Sequence, residues 1–126
     1  MKGVGCGRRA SAAQVPPYSP GLDLVDWVFL AGQGGADPET KELPGGIEAQ
    51  PEQALRNVAT LLEEAGISLG DVASCLVHLS DLSLLERYNA VWERVFASEP
   101  RPVRTTVGAP LLNEMLIEVT AIARRP

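Results

Sequence analysis

The sequence predicts an α+β domain: one mixed β-sheet with two helices on one face, in the order ββαβαββ. Three observations carry this. Apolar residues recur at helical spacing in two stretches, residues 51–66 and 83–99. Runs rich in β-branched and apolar residues precede, separate and follow them. The 126 residues show no internal repeat and no linker, so residues 1–126 read as a single domain. Two helices set among strands in so short a chain point to segregated layers. One sheet face is then left uncovered, and an oligomer that packs sheets together is the natural cover.

The elements follow in order. Residues 1–7, with Gly3, Gly5 and Gly7, are expected to be disordered. An extended stretch over 8–15 leads to the turn-rich Pro16-Pro17-Tyr18-Ser19-Pro20-Gly21. A strand over 24–31 ends in Gly32-Gln33-Gly34-Gly35, and a loop over 36–41 has turn chemistry. The first helix is expected to begin near Pro51, a favoured first helical residue, with Glu52 at the positive end of the helix dipole. Ala54, Leu55, Val58, Leu61, Leu62 and Ala65 form its apolar stripe. Gly66 ends it as a left-handed cap. Residues 71–80 form a strand. The second helix is expected to start near Ser83, which with Glu86 makes a capping-box pattern. Glu99-Pro100 and Pro102 stop it. Two closing strands follow.

Composition excludes several classes. The net charge is −5, so nucleic acid is disfavoured as a partner, because phosphate binding wants a basic face. No apolar run approaches the roughly 20 residues of a membrane span, and no apolar core follows Lys2, Arg8 and Arg9 to make a secretory signal. Two cysteines make no disulfide framework, which fits a reducing cytoplasm. One histidine with no cluster of further ligands makes a metal site improbable, and gives a Ser-His-Asp relay little support. His78 reads as a structural or surface residue of its strand.

The closing strands hold the most informative residues. Arg104 lies in Val103-Arg104-Thr105-Thr106-Val107, and Glu118 lies in Ile117-Glu118-Val119-Thr120. Side chains alternate faces along a strand, so Arg104 shares a face with Thr106, and Glu118 with Thr120. If these strands pair as a simple hairpin, Arg104 and Glu118 fall nearly opposite each other. A guanidinium can clamp a substrate carboxylate through two parallel hydrogen bonds. A carboxylate can hold or activate a water. The same residues suit a structural cross-strand ion pair equally well.

Taken with their order, the local sequences resemble the Rid family of reactive intermediate deaminases, also called YjgF-like proteins. Pro17-Tyr18-Ser19, Phe29-Leu30-Ala31-Gly32-Gln33, Gln53-Ala54-Leu55-Arg56-Asn57, Tyr88-Asn89-Ala90-Val91-Trp92, Val103-Arg104-Thr105-Thr106-Val107 and the strand around Glu118 carry the resemblance, which runs from about Ala13 to Ala123. It implies a chorismate-mutase-like fold, a homotrimer with clefts between subunits, and no metal or organic cofactor. It implies hydrolysis of reactive 2-imino and enamine acids to 2-keto acids and ammonia. Under it, Arg104 binds the substrate carboxylate and Glu118 orients the water. Thr106 contacts substrate or water, and Tyr18, Gly32 and Asn89 shape the cleft. Tyr18 and Asn89, taken alone, read as a packed aromatic and a helix-surface residue.

Departures from the family pattern accompany the match. Gly34 and Gly35 follow Gly-Gln where an apolar wall is usual, so an enlarged or loosened pocket is expected. Thr106 stands where many members have Cys, and Thr120 where deaminating members have a second Glu. These changes keep open a non-catalytic, small-carboxylate-binding member of the same fold. An isomerase acting on a dicarboxylate would need a second basic residue, for which Arg101 is the available candidate.

Overall fold

The computed structural model describes residues 1–6 and 16–126. Seven strands form one sheet: β1 (Lys2–Val4), β2 (Gly21–Asp23), β3 (Trp27–Leu30), β4 (Gln33–Gly34), β5 (Val72–Leu79), β6 (Val103–Gly108) and β7 (Ile117–Arg124). The sheet order is β1-β2-β3-β7-β5-β6, with β4 also paired to β7. All pairings are antiparallel except β5 with β6, so the sheet is mixed as expected. Helices α1 (Gly46–Glu64) and α2 (Leu85–Val95) pack together on one face.

Alternation along the strands sets the two faces. Ile117, Val119, Ala121 and Ala123 of β7 are fully buried, as are Val28 of β3 and Val77 and Leu79 of β5. They meet Leu55, Val58 and Leu62 of α1 in the core. The intervening residues form the other face. Trp27, Phe29, Leu76, Val103 and Val107 lie there, 39–69% exposed. This is the uncovered apolar face anticipated from the sequence.

Several boundaries differ from the sequence reading. Lys2–Val4 is not disordered but pairs with β2 as the sheet margin, and Val4 is buried in the core. The extended stretch over 8–15 lies outside the described residues. Helix α1 starts at Gly46, five residues before Pro51, which sits buried inside the helix. Pro51 lacks the N–H that would reach back to the Ile47 carbonyl, so the first turns of the helix forgo one bond of the ladder. Gly66 does take the left-handed conformation, at φ 77°. Its N–H donates to the Glu63 carbonyl at 3.0 Å, and that of Ile67 donates to Leu62 at 3.1 Å, the paired bonds of a Schellman end. The Ser83–Glu86 capping box does not form. Asp81 caps instead, its carboxylate accepting from the Ser83 N–H at 2.9 Å ahead of a short 3-10 turn.

Candidate functional site

Arg104 sits on the edge strand β6, and its side chain lies on the helix-bearing face of the sheet. Its guanidinium carbon lies 4.7 Å from the centre of the Tyr88 ring and 5.1 Å from that of Trp92. Both aromatic rings belong to α2 and are buried. A cation held over ring faces is stabilised by their quadrupoles. One guanidinium N–H donates to the Asn89 Oδ1 at 2.7 Å. Among the described residues Arg104 makes no ion pair. A cavity of about 370 Å³ opens beside it, lined by Asn89, Trp92, Glu93, Arg101, Pro102 and Arg104.

The surroundings of this cation are polar and dry. The Tyr88 hydroxyl and the Thr106 Oγ1 are both buried without a hydrogen-bond partner. Burial pushes the Tyr88 hydroxyl up to about 12. The Thr106 hydroxyl and the Arg104 guanidinium oppose that shift. Cys75, paired with Arg104 across β5 and β6, is likewise pushed up to about 12 by burial, with Arg104 opposing. It is therefore a neutral thiol and no nucleophile at neutral pH. Arg101 reaches the same cavity, where its Nε–H donates to the Phe96 carbonyl at 2.7 Å and its Nη1 to the Glu99 carboxylate at 2.6 Å. Its charge is thus already shared with an acidic neighbour, unlike that of Arg104 among the described residues.

Glu118 forms a second cluster. On β7 it stands opposite Gly34 of β4 on one side and His78 of β5 on the other. Its carboxylate lies against the backbone of Gly32. A Cβ built on Gly32 would come within 2.6 Å of the Glu118 Cδ and Oε1. Glycine leaves that space to the Glu118 carboxylate in this position, where an added methyl would displace it.

The expected hairpin does not exist. Strands β6 and β7 are not neighbours, because β5 runs between them, parallel to one and antiparallel to the other. The short connection around Ala109-Pro110-Leu111-Leu112 suggested direct pairing, but strand adjacency in sequence does not compel adjacency in a sheet. Arg104 shares its face with buried Cys75, whereas Glu118 shares the open face with His78. The structure thus joins Arg104, Asn89 and Thr106 in one cluster and Gly32 with Glu118 in another. It does not join the two clusters within one chain. Tyr18, 60% exposed, belongs to the surface.

The Gly34–Gly35 segment is not a loosened wall. The space beside Gly34 is filled by the Met115 sulfur, and Gly35 lies on the Gln50 backbone of α1. The Asn57 amide donates to the Gly34 carbonyl at 2.9 Å and to the Ala36 carbonyl at 2.8 Å. Gln53 in turn donates to the Asn57 Oδ1 at 3.0 Å. These glycines let the loop lie flat on α1, and Asn57 fastens it there. Sequence reasoning quoted Asn57 without giving it this task, and set His78 aside. Its one available signal was a polar residue in an otherwise apolar strand. Among the described residues no group of three or more His, Cys, Asp or Glu side chains could hold a metal, and no helix is long and apolar enough to cross a membrane.

A family model described as endoribonuclease L-PSP matches residues 9–125. A RutC family protein of Saccharolobus solfataricus is 37% identical over 113 residues, covering 88% of this chain and 89% of the relative. The chain belongs to the Rid (YjgF/RutC) family. The 2-iminobutanoate/2-iminopropanoate deaminase of Escherichia coli K12 is 35% identical over 116 residues, covering 90% of this chain and 91% of that Rid protein. Among solved Rid structures, the YjgF gene product of E. coli superposes with a TM-score of 0.88 at 33% identity, with both chains covered in full. E. coli TdcF with bound serine gives 0.88 at 31% identity, also over both whole chains. The chorismate-mutase-like fold expected of a Rid protein is the fold observed.

Proposed function

We propose that this Rid protein hydrolyses reactive 2-imino and enamine acids to 2-keto acids and ammonia, in clefts formed between copies of the chain. The observation that carries the reading is Arg104. A guanidinium fixed by two ring faces and Asn89, with no acidic partner among the described residues, is a cation prepared for an anion. A 2-imino acid presents a carboxylate next to an electrophilic carbon. The imine is already activated, so positioning and one oriented water suffice. Arg104 would bind the carboxylate, with Asn89 holding the guanidinium and Thr106 near the bound substrate. Glu118, over Gly32, would orient the water, and Tyr18 would border the cleft.

The two clusters lie on opposite faces of one sheet, so a composite site needs a second copy. A cyclic trimer would set the Arg104 cluster of one copy against the open, apolar face of the next. No organic cofactor or metal enters this scheme, and an acidic chain at −5 is poorly suited to RNA.

The test is ammonia release from freshly generated 2-iminopropanoate and 2-iminobutanoate. Turnover is expected from the wild type and not from Arg104→Ala or Glu118→Gln alone. After the two variants are mixed through unfolding and refolding, mixed assemblies regain one native pairing of Arg104 with Glu118, and activity returns. Mixtures that stay inactive, with both variants folded, refute the shared site. A wild type that binds 2-keto acids but releases no ammonia establishes the non-catalytic binding module instead.

A further inference from the structure

His78 and Glu118 face each other across the β5–β7 ladder, and each has an unused bonding capacity. The His78 Nδ1 is buried without a partner. The Glu118 carboxylate makes no hydrogen bond or ion pair among the described residues. Residues directly opposite in an antiparallel pair bring their Cβ atoms to about 4.5–5.5 Å. An imidazole and a carboxylate can bridge that span by rotating about their side-chain bonds. On its other side His78 pairs with Val107 of β6, so Glu118 is the one ionisable group directly opposite it on either neighbouring strand. A buried ring nitrogen left unpaired beside a carboxylate is costly unless the two meet in some state of the protein.

We propose that His78 is a positioning residue for the hydrolytic step: its Nδ1–H donates to one Glu118 oxygen and leaves the other turned toward the attacking water. This rests on the role given above to Glu118. In the step itself, the water oxygen forms a bond to C2 of the imino acid, and the C=N π pair moves onto nitrogen. Glu118 takes a proton from the water and passes it to that nitrogen, leaving a hydroxyl and an amino group on C2. Glu118 then takes the hydroxyl proton and hands it to the amino nitrogen as the C=O bond forms and the C–N bond breaks, so ammonia departs and Glu118 is a carboxylate again. His78 neither gains nor loses a proton over the cycle. It fixes which carboxylate oxygen is free, and Gly32 supplies the wall on the far side.

Position 78 holds the single histidine of the chain, so its ring nitrogens give one unambiguous set of NMR signals. The Nδ1–H tautomer is expected in the wild type with a 2-keto acid bound, and its loss in Glu118→Ala. In kinetics, His78→Phe and His78→Gln are expected to lower kcat about 10- to 100-fold with KM nearly unchanged, as misplacement of a reacting group does. His78→Asn, whose amide N–H overlays Nδ1, is expected to recover most of that loss. Wild-type kcat in His78→Phe, equal losses in His78→Asn and His78→Gln, or a tautomer indifferent to Glu118→Ala overturns the proposal. Melting temperatures on each variant separate a folding defect from a kinetic one. If the wild type shows no turnover, the deaminase reading fails, and the tautomer measurement still decides the His78–Glu118 contact.

Discussion

Arg104 and Glu118 lie on opposite faces of one sheet, with β5 between their strands. Arg104 is turned to the aromatic rings of α2, and Glu118 to the backbone of Gly32 on the open face. No rotation of side chains brings them together in a single copy. Each residue then has a separate and testable contribution.

Replacing Arg104 with alanine is expected to abolish imine hydrolysis and weaken 2-keto acid binding, with the fold intact. Arg104→Lys should recover little, because an ammonium lacks the planar fork that matches a carboxylate. Charge-assisted hydrogen bonds of this kind contribute about 1.5–3 kcal/mol each. Calorimetric titration with pyruvate measures the loss. Unchanged affinity in Arg104→Ala would place the carboxylate site elsewhere.

Gly32→Ala separates position from stability. The added methyl would meet the far end of the Glu118 side chain, which can swing away at little cost to the fold. The melting temperature should hold nearly steady while turnover falls about 10- to 100-fold, the usual effect of misplacing a reacting group by an ångström.

Gln50 is expected to matter for stability. It is 5% exposed, donates to the Pro44 carbonyl at 3.1 Å and accepts from the Leu116 N–H at 2.9 Å. Gln50→Leu leaves two backbone groups without partners. A loss of about 2–6 kcal/mol follows, at about 1–3 kcal/mol for each of the two orphaned groups. Denaturant unfolding of the two proteins checks it.

Alkaline pH should unfold the protein earlier than its charge alone would. Cys75 and Tyr88 are raised by burial from 9.0 and 10.0 to about 12 in the folded chain. The folded state therefore keeps protons that the unfolded state releases. Stability is full below pH 9 and falls as pH rises from there toward 12. Cys75→Ala should delay the onset, and denaturant midpoints at pH 7, 9 and 10.5 would show it.

The fold class was legible because its signals are local. Apolar spacing marked both helices, Gly66 marked an end, and strand composition marked β3, β5, β6 and β7. The placement of α1 was not, since Pro51 is a start signal that this helix carries one turn inside. The family motifs named Arg104, Asn89, Gly32 and Glu118 as site candidates, and the structure sets Arg104 beside Asn89 and Glu118 beside Gly32. That pairing was not legible. Period-two alternation places a side chain on one of two faces, but only the insertion of β5 between β6 and β7 decides that Arg104 and Glu118 take different ones. His78 was missed for the same reason, because its opposite number lies 40 positions away along the chain.

The position of β7 has a consequence for synthesis. It pairs with β3 and β4 on one side and β5 on the other, and no other strand joins β1–β3 to β5 and β6. It is also the last of the seven in chain order. While the ribosome is still making it, the earlier strands are the β1–β3 set, the β5–β6 pair and an unpaired β4. A nascent chain of this kind cannot assemble its sheet piecemeal as it emerges. It must wait for Ile117–Arg124 to clear the tunnel, and then close in a single late event. A premature stop anywhere before that strand would yield fragments for proteolysis rather than a smaller working domain.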